Sequence, residues 1–88
     1  MHLKKDVIVD TTGKTALTIN TTSKEISEKD EYIVRALLDG MTGRNEFTEL
    51  VVKNENISEI EADFRMAMFV EDYGDFLESD ADKVIPVD

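Results

Sequence analysis

Residues 70–82, VEDYGDFLESDAD, hold six carboxylates and no basic side chain. Oxygen ligands at that density suggest a hard cation such as Ca²⁺. A calcium-binding EF-hand loop needs oxygen ligands at positions 1, 3 and 5, glycine at 6 and glutamate at 12. Counted from Asp72, position 3 is Gly74 and position 5 is Phe76; counted from Asp80, Asp82 fits position 3 but Val84 occupies position 5. The pattern fails in both registers, so no dedicated metal site is expected.

Catalytic groups are equally sparse. The single histidine, His2, follows Met1, where a chain is seldom ordered unless tied down. Ser23, Ser27, Ser58 and Ser79 have no general base nearby in sequence. A carboxylate pair could do general acid–base work, but among twenty acids in 88 residues no pair stands out. The chain has no cysteine, which removes thiolate nucleophiles and disulfides. Gly13-Lys14-Thr15 matches the end of a phosphate-binding loop, but the glycine required five positions earlier is Ile8. A strand rather than a helix is also expected after it, so free amides would not meet a phosphate. Neither an enzyme nor a bound cofactor is expected.

The chemistry on offer is therefore charge. The net charge is −10, and it is unevenly placed: residues 1–44 carry seven acids and seven bases, residues 45–88 thirteen acids and three bases. Such a field repels nucleic acid and anionic membranes and attracts cationic proteins. No apolar run approaches the ~20 residues of a membrane span, and no secretion signal is recognisable, so the cytoplasm is the default compartment.

The elements that position these charges read as α+β. The length fits a single domain, 1–88, with one modest core. KDVIV and KTALTIN are β-branched runs joined by DTTG, an antiparallel hairpin in which Gly13 is free to take positive φ. Ser27 is placed to cap a helix carrying Ile33, Val34, Leu37, Leu38 and Met41 at helical spacing, with Glu28 and Asp30 in its first turn and Gly40 as terminator. Hairpin followed by helix, with TGKT at the turn, resembles the opening of the ubiquitin-like β-grasp fold. The likeness covers about forty residues and lapses afterwards, so it implies nothing about function. Residues 42–56 fit a helix through Phe47, Leu50, Val51 and Asn54, or a strand through Thr48, Leu50 and Val52; their β-branched content tilts the reading towards a strand. Ser58-Glu-Ile-Glu61 is a capping box opening a longer C-terminal helix, packed on a small sheet. The tail, 80–88, is expected to be extended or frayed, with Pro86 permitting a short edge strand.

At ~100° per residue, Ala62, Met66, Phe69, Val70, Tyr73 and Leu77 form one apolar stripe of that last helix. The stripe stays in phase past Gly74, so the helix is expected to run through the glycine at a cost of about 1 kcal/mol. Glu71, Asp72, Asp75 and Glu78 fall opposite, at a helix end where the macrodipole favours cations by ~0.3–1 kcal/mol each. Acids placed against a local rule mark a candidate functional face. Phe64 and Met68 project towards the same side. They read first as core and second as an apolar anchor beside an acidic rim. Phe64, Met68, Glu71, Asp72, Asp75 and Glu78 are the candidate partner-binding residues.

Together these features point to a small acidic non-enzymatic binding protein, an inhibitor or decoy whose carboxylates stand in for phosphates on a basic surface of a partner protein. A cationic protein partner is expected, with no direct contact to nucleic acid or membrane. The alternative is a structural or assembly subunit, of phage or complex type, joined to its own copies or to another chain by an apolar or strand-edge contact.

Overall fold

A computed structural model of the protein describes residues 1–78. The architecture is α+β. The described elements run β1 (His2–Leu3), β2 (Ile8–Asp10), β3 (Ala16–Ile19), β4 (Thr22–Glu25), α1 (Glu31–Leu38), α2 (Arg44–Glu55), α3 (Glu59–Tyr73) and β5 (Leu77–Glu78). Strands β2, β3 and β4 form an antiparallel meander, while β1 and β5 pair as a separate two-stranded sheet, Leu3 opposite Leu77.

The expected hairpin is β2–β3, with Val9 opposite Leu17. Thr15 and Leu17 are buried and Ile19 half-buried, as period-2 alternation requires. Gly13 does not take positive φ. Asp10 makes the turn instead: its Oδ1 accepts from the amide of Thr12 at 3.0 Å and from the Thr12 hydroxyl at 2.7 Å. Those two bonds, the amide's first, hold its carboxyl below the usual range. Strand β4 was not expected. Its residues are all exposed, so no alternation betrays it, and backbone pairing to β3 defines it. Asn20, at φ 54°, makes the tight turn between them.

The ladder leads into a 3₁₀ turn, Glu28–Asp30, and α1 starts three residues later than expected. The Ser27 side chain caps nothing. Ile33, Val34 and Leu37 face the core, Leu38 is exposed, and Met41 lies beyond the helix. Gly40 ends it at φ 101°, a backbone conformation that suits glycine.

Residues 44–55 are a helix, correcting the tilt towards a strand. Phe47 and Val51, one helical turn apart, are both buried, with Leu50 half-buried beside them. The β-branched residues are accommodated: the Thr48 hydroxyl donates back to the Arg44 carbonyl at 3.1 Å. Glu46 accepts from the Gly43 amide at 3.1 Å, and Asn56, at φ 54°, closes the end. Packing against α3 outweighs β-propensity here.

Helix α3 begins as its capping box requires: Ser58 Oγ accepts from the Glu61 amide at 3.2 Å, and Glu61 Oε1 accepts from the Ser58 amide at 3.1 Å. Ser58→Ala is expected to cost about 1 kcal/mol. In a domain of this size that lowers Tm by about 4–8 °C, measurable by calorimetry.

The end of α3 departs from expectation. The helix stops at Tyr73, and Gly74–Phe76 form a 3₁₀ turn before β5. That turn packs against β3, burying Phe76 and Leu77, and the Phe76 carbonyl accepts from the Lys4 amide at 2.9 Å. A helix continued through Gly74 would forgo the β1–β5 pairing. The hairpin-then-helix order of a β-grasp opening is kept, but β4 and the separate β1–β5 sheet depart from it. The core joins Leu17, Ile26, Ile33, Val34, Leu37, Phe47, Val51, Ala62, Phe69, Tyr73, Phe76 and Leu77. The expectations for 80–88 lie outside the described residues.

Candidate functional site: the outward face of helix α3

Helix α3 is two-sided in burial but not in polarity. Ala62, Phe69 and Tyr73 are buried and Met66 half-buried, as the stripe predicted. On the opposite side, Ile60, Phe64 and Met68 stand at i, i+4 and i+8 with 71%, 69% and 58% of their surfaces exposed. Phe64 and Met68 are therefore not core, and Ile60 extends their row by a turn. Val70, expected in the inward stripe, is instead 43% exposed at its edge, and with exposed Ala67 it widens the outer row on one side.

Acids surround this stripe. On the wheel, Glu59 and Asp63 lie along one flank, Glu61 and Asp72 along the other, and Glu71 at the C-terminal end, all exposed. Residues 59–78 contain seven acids and one base. The base, Arg65, is turned inward with 14% of its side chain exposed. The helix thus presents apolar surface and carboxylates outward with no base of its own among them.

The four acids expected to share one helical face do not. Glu71 and Asp72 lie on α3, Asp75 in the 3₁₀ turn and Glu78 on β5. Glu78 Oε1 lies 3.1 Å from His2 Nε2, so the histidine is held in the β1–β5 sheet rather than loose. The helix end is also compensated after all. Lys24 of β4 donates to the Asp72 carbonyl at 2.6 Å, and its ammonium sits 5.1 Å from the centre of the Tyr73 ring. A cation from another strand satisfies the macrodipole.

Beside the stripe, an open groove of about 390 Å³ runs between α2 and α3, lined by Met1, Phe47, Met66, Ala67 and Val70 together with Arg44, Thr48 and Asp63. Thr48 Oγ1 shares its one proton between the Arg44 carbonyl and Asp63 Oδ1, the latter at 3.0 Å, and so ties the two helices at the groove.

Behind the face lies a charged network that sequence reasoning missed. Asp30 is 2% exposed. Its Oδ1 accepts from Arg65 Nη2 at 2.6 Å, and its Oδ2 accepts from the Tyr73 hydroxyl at 2.8 Å. Arg65 Nη2 also donates to the Lys29 carbonyl at 2.9 Å, and Arg65 Nε donates to both oxygens of Glu55, at 3.0 and 3.2 Å. Glu55 in turn accepts from the Tyr32 hydroxyl. Burial opposes the Arg65 charge, yet bonding to Asp30 and the charges of Asp30 and Glu55 raise its pKa further. Burial pushes the Tyr32 and Tyr73 hydroxyls up. The signal was legible: a lone base on the apolar side of an acidic helix must find a partner.

Among the described residues, no three His, Asp or Glu side chains converge as a metal site, and no buried side-chain nitrogen or oxygen lacks a partner. Also among them, no helix is long and apolar enough to cross a membrane. Comparison with known proteins finds no matching family model, curated protein or solved structure.

Proposed function

We propose that this protein is a small non-enzymatic binding module that occupies a basic, nucleic-acid-binding surface of a partner protein, as an inhibitor or decoy does. The observation that carries this reading is the outer face of α3, where exposed carboxylates and large apolar side chains share one surface and the lone arginine is turned away. Carboxylates on a rigid helix can take the place of phosphates at a cationic site. The apolar row adds contact area that charge alone does not supply.

The test passes a heparin-binding extract of the source cells over the immobilised protein, washing at low and then high salt. Each eluted protein is assayed for DNA binding while the free protein is added. Competition with DNA is expected, with at least tenfold loss of affinity in Glu71→Lys/Asp72→Lys/Asp75→Lys, since three reversals replace attraction by repulsion. Simultaneous binding of DNA and this protein, or undiminished affinity of the triple variant, would sink the reading.

The exposure of Ile60, Phe64 and Met68 favours a second reading, an assembly subunit with an apolar contact. Its association would be insensitive to salt, which sedimentation at two ionic strengths measures.

A further inference from the structure

We propose that the outer face of α3 docks a basic amphipathic helix of its partner. The inference rests on the reading of this face as a protein contact and names the element it receives. The apolar row Ile60, Phe64, Met68 follows an i, i+4, i+8 ridge that inclines about 26° to the helix axis and rises about 12 Å over eight residues. Acids stand along both flanks, Glu59 and Asp63 on one and Glu61 and Asp72 on the other. A helix with a narrow apolar stripe between two rows of Lys or Arg is the complement of that pattern in shape and in charge.

The surface also fits a helix sterically. Ala67, small and exposed beside Phe64, lets a second backbone approach, and the groove over Phe47, Met66 and Val70 can take a large side chain at its edge. The C-terminal end of α3 carries Glu71 and Asp72, both exposed and favourable to a cationic neighbour. A second copy of this chain fits poorly, because it would set the five acids of α3 against the same five.

The probe is a synthetic peptide of about 18 residues, five helical turns, with leucines on one face and lysines on the flanks. A scrambled peptide of identical composition and a glutamate analogue serve as controls. Binding is read by fluorescence anisotropy, and the site by amide shift changes in NMR. The expected dissociation constant is on the order of ten micromolar, as suits a small interface. Shift changes should centre on residues 60–72. The scrambled peptide should bind at least tenfold more weakly, and Phe64→Ser/Met68→Ser should lose at least tenfold while melting like the parent protein.

Equal binding of the scrambled peptide, with no effect of the double serine variant, would overturn the helix-docking proposal and leave the acidic-surface reading standing. No binding of any cationic peptide at low salt would overturn both. A dimer in sedimentation that Phe64→Ser dissolves would name a second copy as the occupant and overturn the proposal. So would shift changes at Phe64 and Met68 on removing residues 79–88, which would name that segment of the chain.

Discussion

Arg65→Met is expected to cost about 3 kcal/mol or more of folding stability, the largest loss we anticipate from a residue outside the apolar core. Removing one partner of a buried ion pair leaves the other charged and unpaired, which costs about 3–5 kcal/mol. Asp30 is that partner, 2% exposed, and the Tyr73 hydroxyl alone would remain to it. Arg65 keeps 14% of its side chain in contact with solvent, so the lower end of the range applies. A domain of this length has roughly 4–13 kcal/mol in total, so the loss is a large share. Urea unfolding followed by circular dichroism should show it, with Tm lowered by on the order of 20 °C. The network also makes a prediction of opposite sign. Adding Asp30→Asn to Arg65→Met should restore part of the stability, because asparagine can still accept from Tyr73 without burying a charge. If the double variant were less stable than Arg65→Met, the unpaired carboxylate would not be the source of the loss.

The same network bears on recognition. Arg65 joins α3 to the start of α1 through Lys29 and Asp30 and to the end of α2 through Glu55. Thr48 and Asp63 join α2 to α3 one turn further towards the groove. The face carrying Ile60, Phe64 and Met68 is thus held from behind at several points. A surface that is already ordered loses less entropy on binding, and the proposed contacts stand on a helix rather than a loop.

How much of this was legible in the sequence depended on whether the signal was local. The Ser58–Glu61 box set the start of α3 because both of its hydrogen bonds lie within one turn. The β2–β3 hairpin showed itself through alternation around Leu17. Strand β4 stayed hidden, since a strand exposed throughout leaves no period to read. Helix α2 was misjudged because Val51 and Val52 favour strands, whereas the burial of Phe47 and Val51 against α3 is decided by tertiary packing. The wheel placed Leu77 correctly on the inner side but could not show that β1 would draw the chain into a strand. Phe64 and Met68 were read first as core because large apolar residues usually are. Their exposure shows that no further layer of the described fold covers α3, something a single helix's pattern does not contain. The acids at the end of α3 were judged uncompensated for a similar reason: Lys24 lies 48 positions away from the carbonyl it bonds.

The alkaline limb of stability should report the two hydroxyls of the network directly. Tyr32 and Tyr73 are the chain's only tyrosines, and it has no tryptophan, so tyrosinate absorbance in the near ultraviolet belongs to these residues alone. Burial raises the pKa of both; bonding to Glu55 adds to the rise at Tyr32, and bonding to Asp30 at Tyr73, where the Ser27 amide works the other way. In the unfolded chain both titrate near pH ~10. Above that pH the unfolded state binds fewer protons than the native one, so stability must fall as pH rises. The slope reaches at most about 1.4 kcal/mol per pH unit for each ring, and less for the half-buried Tyr32, which solvent screens. Tyrosinate absorbance should therefore stay low just above pH ~10 and rise together with loss of the far-ultraviolet dichroism. Tyr73→Phe should shallow the fall, at a cost near neutral pH of about 1–3 kcal/mol for the bond to Asp30. A smooth titration near the unfolded value with the dichroism intact would mean that the hydroxyls reach solvent and that Asp30 is not sealed beneath them.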